Sequence, residues 1–327
     1  MLAAYLSRFG APDVLEIRDV PTPTPALDQV LVRVRASALN RADLLQRRGN
    51  YPPPPGAPTD IPGIEFAGEV AALGPGAREW KEGDRVFGLI GGGAHAEYVA
   101  VHERTLARVP AALDWATAGA VPEAYMTAHD ALLQADARPG ETVLVHAIGS
   151  GVGIASAQLA RAFGLACLGT ARTADKLERA RAHGMSAGFT AGTDLAPLAA
   201  FVREHTAGRG VDVVLDLAGG PYAAASLEAM APGGRLILIG LVAGNRAELD
   251  LGRILRGRLT VRGTVMRARP LEERILVTRR FAREVVPLLA TGAVAPVIDA
   301  RYPLARIVEA HERLESNVTF GKVVVEV

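Results

Sequence analysis

The stretch VLVHAIGSGVGIASAQLARAFG, Val143–Gly164, decides the fold. An apolar run ends in a glycine cluster, and apolar residues then resume at helical spacing. Strand, glycine turn and helix in that order open a dinucleotide-binding βαβ unit. Glycine lets backbone approach a pyrophosphate closely, and the helix start offers unpaired N–H groups and the positive end of the helix dipole. Gly149, Gly151 and Gly153 form G-x-G-x-G, close to the usual G-x-G-x-x-G but not identical to it. Context therefore carries the argument more than spacing does. Gly149, Ser150, Gly151, Val152 and Gly153 are the candidate phosphate contacts.

Working outward, strands and helices alternate. Strands are predicted at Thr142–His146, Ala166–Thr170, near Phe189, Val211–Leu217, Arg235–Ile239 and Leu259–Gly263. Helices are predicted at Gly153–Phe163, Ala174–His183, Phe201–His205 and near Tyr222–Met230. This rhythm implies a doubly wound parallel sheet. Further out the pattern becomes β-rich. QVLVRVRASAL alternates through Val30, Val32 and Val34, and FAGEVAALG and DRVFGLI read as strands about the turn WKEGDR. HAEYVAVHERTLARVP reads as one more strand pair. Tyr51–Pro58 is a proline-stiffened loop, since proline lacks the N–H and fixes φ. WATAGAVPEAYMTAHDALLQ is helical in two pieces around Pro122, LEERILVTRRFAREVVPLLATG is one long helix, and GKVVVEV is extended. The expected layout is an α/β chain in which a β-rich domain, residues 1–118 and 267–327, is interrupted by a dinucleotide-binding domain, residues 119–266.

The strand after the glycine turn separates the two dinucleotides. An acid at its end suits the ribose hydroxyls of NAD, whereas a positive charge suits the extra phosphate of NADP. Here it ends in Arg172 and Thr173, with Lys176 a turn later, so NADP(H) is expected. Asp175 falls in the first turn of the next helix, where the helix dipole favours it.

Composition sets limits on the function. The chain has 327 residues and a formal net charge of +1, without a basic run, which gives no electrostatic case for nucleic acid. Its one cysteine, Cys167, excludes an internal disulfide and every zinc site that needs two thiolates. No signal peptide or membrane span is read, so a cytoplasmic protein is expected. The seven histidines show no H-x-x-x-H spacing, and no metal is expected.

These residues resemble the zinc-independent branch of the medium-chain dehydrogenase/reductases, the zeta-crystallin-like NADPH:quinone oxidoreductases. ASALNRADLLQRRGNYPPPPGA, AVPEAYMTAHDAL and HAIGSGVGIASAQLA are most similar to the tumour-suppressor-inducible quinone oxidoreductase subgroup. The resemblance runs from MLAAYL to GKVVVEV. It implies a GroES-like β domain interrupted by a Rossmann domain, and a homodimer. Zinc relatives carry C-x-x-D and G-H-E, where this chain has Asn40-Arg41-Ala42-Asp43 and Gly63-Ile64-Glu65. Asn40 thus replaces the thiolate and Ile64 the imidazole.

Without a Lewis acid, an acceptor already activated by conjugation is the easier hydride acceptor, which points to a quinone or an enone. The oxygen that becomes negative then needs a proton or a hydrogen-bond donor. The resemblance implies a substrate cleft between the domains, lined by Asn40, Tyr51, Thr127 and the loops after Gly240 and Gly263. Tyr51 and Asn40 are the candidate donors, and Asn40 also suits the cap of the helix that follows it. Thr127, in P-E-A-x-x-T-A, and Leu241, after Gly240, are expected beside the nicotinamide. Glu123 is expected to order the junction. Phe320, Gly321 and Lys322 are expected to close over the cofactor. Ala191 stands where this branch often has a tyrosine near the extra phosphate. Alkenal, enone or enoyl-thioester reduction and a non-catalytic NADPH- or RNA-binding role are the alternatives.

Overall fold

A computed structural model describes residues 1–327. In chain order its strands are β1 (Leu2–Leu6), β2 (Leu15–Asp19), β3 (Gln29–Leu39), β4 (Glu65–Leu73), β5 (Arg85–Leu89), β6 (Tyr98–His102), β7 (Leu106–Arg108), β8 (Thr142–Val145), β9 (Ala166–Ala171), β10 (Ala187–Thr190), β11 (Val211–Asp216), β12 (Met230–Leu238), β13 (Thr260–Gly263), β14 (Ile298–Pro303) and β15 (Lys322–Glu326). The chain divides into two compact units, Met1–Met126 with Met266–Val327, and Thr127–Val265. The first cut falls later than residue 118. The π-helical turn Pro122–Met126 belongs to the first unit, because the Glu123 N–H donates to Glu65 there.

In the second unit the strand order is β10-β9-β8-β11-β12-β13, and every pairing is parallel. Counted from its own first strand this is 3-2-1-4-5-6, the doubly wound order that reverses direction between β8 and β11. Val143, Leu144, Val145, Val213, Val214 and Leu215 are fully buried, which is why these strands read as continuous apolar runs. Cys167 on β9 is buried with them, and burial pushes its thiol up to about 12. The helices Gly151–Ala162, Ala174–Arg181, Leu198–Glu204 and Pro221–Ala229 fall at the expected places.

The first unit carries the sheet β14-β15-β3-β4-β5-β7, with β6 also paired to β3. β3 alternates as its sequence predicts, with Val30, Val32 and Val34 in the core. Two expectations change. HAEYVAVHERTLARVP does form two strands, but β6 joins β3 and β7 joins β5, so they are not partners. The long C-terminal helix is two helices, Leu271–Glu284 and Val286–Ala290, because Pro287 cannot continue the first. The β1–β2 hairpin was not apparent from the periodicity.

Candidate functional site

In the second unit, the carboxyl ends of β8, β9 and β11 meet at the switch point. β8 ends at Val145, and Ala147 then takes φ +51°, a left-handed turn that redirects the chain at the cost of strain. Ser150 caps the Gly151–Ala162 helix, its side chain accepting the Gly153 N–H at 3.0 Å. The preceding N–H groups of Gly151 and Val152 lie where no intrahelical carbonyl reaches. A Cβ at Gly153 would sit 2.5 Å from the Ala147 oxygen, so this glycine is required for close packing of turn and helix. Gly149 is buried in the turn.

Arg172 follows directly after β9 and is exposed, with Thr173 exposed as the cap of the next helix and Lys176 half-buried in it. Arg172 faces Tyr222 closely enough to pull its hydroxyl down against the larger, upward push of burial. Asp175 pairs with Arg179 at 3.7 Å in its own helix and does not replace Arg172 at the strand end. Ala191 is buried after β10.

At the end of β11, Asp216 Oδ1 accepts the N–H groups of Ala218 and Gly219, both at 2.8 Å. Its backbone oxygen accepts those of Ile239 and Gly240 at 2.8 and 3.1 Å. One residue thus shapes both the Leu217–Gly220 and Gly240–Leu241 loops, and sequence reasoning missed it. Leu241 projects with 55% exposure. Two buried side-chain oxygens of this unit lack partners, Asp216 Oδ2 at the end of β11 and Thr127 Oγ1 at the start of the Thr127–Gln134 helix. A helix N-terminus with a glycine-tight turn and an exposed arginine at the next strand end fit a phosphorylated dinucleotide, and the unpartnered Asp216 Oδ2 can accept from a hydroxyl or N–H donor of a ligand.

The first unit contains a different kind of site. Register places the ends of β15, β3 and β4 side by side, with Val323 opposite Leu39 and Ser37 opposite Phe66. Lys322, Asn40 and Glu65, each next to one of these pairs, therefore converge. The Lys322 ammonium donates to Glu65 Oε1 at 2.6 Å, Asn40 Oδ1 at 2.6 Å and the Leu39 oxygen at 3.1 Å. Glu65 is fully buried and also accepts Asn40 Nδ2 and the Glu123 N–H, both at 2.8 Å. Lys322 is 4% exposed with its three donors committed, so it does not serve as a cofactor cation. Phe320 is buried, and Gly321, at φ +97°, leaves no room for a Cβ against the Val297 oxygen. The expected closing segment is thus a packed part of this unit.

Asn40 is also committed. Its carboxamide donates to Glu65 and to the Ala38 oxygen and accepts from Lys322. It occupies the cap of the Arg41–Arg47 helix, with its N–H on Asp43 Oδ2 at 2.7 Å. The geometry supports the capping role and not that of substrate donor.

Beneath it, Asp43 Oδ1 accepts the Gly63 N–H at 3.1 Å and lies 4.0 Å from His95 Nε2. Gly63, at φ +100°, is indispensable, since a Cβ would lie 2.5 Å from the His95 nitrogen. The Ser37 hydroxyl donates to the Glu65 oxygen, so its 3.0 Å contact with His95 Nδ1 assigns the ring proton to Nδ1. Burial raises Asp43 to about 6 and lowers His95 to about 4.

Tyr51 begins the proline loop. Burial chiefly raises its hydroxyl above the ordinary value, and Arg267 opposes this. Arg267, which sequence reasoning missed, stacks on the ring with its guanidinium carbon 5.0 Å from the centroid.

Comparison with known proteins agrees with both halves. Residues 26–111 match the alcohol dehydrogenase GroES-like domain family, and residues 188–325 match a family described as zinc-binding dehydrogenase. A quinone oxidoreductase of Pseudomonas aeruginosa is 35% identical, with 97% of this chain and 96% of that one covered. A polyketide synthase component of Streptomyces venezuelae, PikAII, is 39% identical over 65% of this chain and 6% of its own length. A mycobacterial protein solved in complex with NADPH superposes with a TM-score of 0.88 at 29% identity, covering 100% of both chains. The chain belongs to the quinone oxidoreductase family of medium-chain dehydrogenase/reductases and is an oxidoreductase, in which a GroES-like domain is interrupted by a Rossmann domain. No helix is long and apolar enough to cross a membrane.

Proposed function

We propose that the protein transfers a hydride from NADPH to a small quinone. The observation that carries this is Arg172, a cation at the end of the strand where an NAD site places an acid, beside a helix start built for phosphate. The NADPH bound by the mycobacterial neighbour supports the same cofactor. Gly149, Ser150, Gly151, Val152 and Gly153 hold the pyrophosphate, Arg172, Thr173 and Lys176 the extra phosphate, and Thr127, Gly240 and Leu241 the nicotinamide end.

Reduced nicotinamide, when bound, supplies a hydride. The chain's own task is then to orient the acceptor and give a proton to the oxygen that becomes negative. Tyr51 Oη is the donor. It belongs to a stiff loop, whereas the Asn40 amide is held by Lys322 and Glu65. The Lys322 ammonium gives its three N–H groups to protein oxygens and so has none for a substrate oxygen, which favours an acceptor activated by its own conjugation.

A second reading, an enoyl thioester as acceptor, is supported by the 39% identity to the polyketide synthase component. The test is NADPH against NADH oxidation with a naphthoquinone, an ortho-quinone, an aliphatic enone and an enoyl thioester. Fastest turnover of a quinone with NADPH is expected. Thioester turnover with inert quinones would replace this reading by the second.

The working form is a homodimer in the cytoplasm. β13 pairs only with β12, and all four of its residues are exposed. Leu251 and Leu255 add apolar area at 75% and 79% exposure. An open edge with apolar neighbours suits a second copy. Light scattering should give twice the chain mass, and a monomer at micromolar concentration would refute it.

A further inference from the structure

If Tyr51 gives the proton, the phenol must lose it in a half-buried position next to a carboxylate. We propose that Arg267 is the positioning residue of Tyr51, fixing the loop that carries the phenol and stabilising the phenolate left behind. This rests on the reading of Tyr51 as donor.

Arg267 is only 7% exposed. Its Nε donates to the Gly91 oxygen at 2.6 Å, Nη2 to Gln46 Oε1 at 2.5 Å, and Nη1 to the Tyr51 oxygen at 3.3 Å. One planar group thus ties together the Arg41–Arg47 helix, the start of the proline loop and the turn after β5. The same turn supports the loop from below, since a Cβ at Gly91 would lie 2.8 Å from Pro54 Cγ. With its edge occupied by these oxygens, the guanidinium lays its face over the Tyr51 ring. Lysine cannot do both, because its ammonium is a point charge without a fork or a flat face.

The charges agree with the geometry. Tyr51 faces Arg267 on the segment returning to this unit and Glu123 on the π-helical turn, and Arg267 itself also faces Asp43. Burial and Glu123 hold the phenol proton on, while Arg267 loosens it. In the step, the Tyr51 O–H bond breaks and an O–H bond forms on the oxyanion of the reduced acceptor. The hydride has already supplied both electrons, and solvent returns a proton to the phenolate.

The test uses full-length protein labelled with 13C at tyrosine Cζ, with the Tyr51 signal assigned through Tyr51→Phe. The Tyr51 titration midpoint and the pH profile of kcat are measured in Arg267→Met and Arg267→Lys. For Arg267→Met the midpoint and the alkaline limb should both move upward, kcat at neutral pH should fall by about tenfold or more, and KM for NADPH should stay constant. Arg267→Lys should move in the same direction but less, and it carries the test if the methionine variant fails to fold. An unchanged Tyr51 midpoint in a folded variant overturns the role of Arg267. Undiminished kcat in Tyr51→Phe would instead remove Tyr51 as donor, whatever its midpoint does.

Discussion

In the Thr127–Val265 unit the central strands β8 and β11 are largely apolar, and the proposed phosphate site is made of backbone, namely a glycine turn and a helix start beside two loops pinned by Asp216. In the other unit a carboxylate and an ammonium, Glu65 and Lys322, pair inside the domain, and a second buried carboxylate, Asp43, lies 4.0 Å from the His95 imidazole. A backbone site is inexpensive in stability and tolerates many side chains around it. A buried charge cluster is intact only as a set, because each member left alone is an unpaired charge or donor in a medium of low dielectric.

The most severe way to break this contrast is Lys322→Met. It leaves Glu65 buried and uncompensated, and should lower stability by about 3–5 kcal/mol. Thermal unfolding would show it, and adding Glu65→Leu should restore part of the loss. A melting temperature within a degree or two of the parent would mean that the pair is not set as described.

A second probe is pH. Asp43, raised to about 6, contributes stability that is complete below its unfolded value near 3.8 and is lost as pH rises through 6. His95, lowered to about 4, contributes stability that is present above its unfolded value near 6.5 and is lost as pH falls through 4. The two slopes oppose each other between about pH 4 and 6, while the buried His146, also lowered to about 4, and His311, lowered further, add rising slopes of the same sign as that of His95. Relative to the parent, Asp43→Asn should steepen the rise of stability with pH and His95→Gln should reduce it, each on the order of 3 kcal/mol across the window. Denaturant midpoints at several pH values measure this, and parallel curves for all three proteins would refute the opposition.

On the backbone side the effect should be smaller and confined to binding. Arg172→Glu should raise KM for NADPH by about 10- to 100-fold, or about 1.4–2.8 kcal/mol, with little change for NADH and none in melting temperature. Equal changes for both coenzymes would show that Arg172 does not read the extra phosphate.

Legibility in the sequence followed the same division. The strand, glycine turn and helix are local, and Gly153, Ser150 and Arg172 fall where spacing places them. The charge cluster is not local, because Lys322 meets Glu65 across 257 positions and Asn40 across 282. Resemblance placed Lys322 with the cofactor, and nothing in GKVVVEV signals an ion pair, since the partner is chosen by the register of β15 on β3 and β3 on β4. Arg267 and Asp216 were missed for a related reason. Asp216 acts through backbone N–H groups, and Arg267 acts through two backbone oxygens and side chains distant in the sequence, none of which leaves a local trace. The partners of β6 and β7 likewise depend on long-range sheet order.

Cys167 carries a consequence for the working life of such a catalyst. Quinones and enones are soft electrophiles that alkylate thiolates. The Cys167 side chain is 1% exposed, and burial pushes its thiol up to about 12, which keeps it in the unreactive protonated form at neutral pH. The chain's only thiol is thereby hidden from such electrophiles, and if a quinone is the acceptor, as proposed, alkylation by it has no exposed cysteine to proceed through.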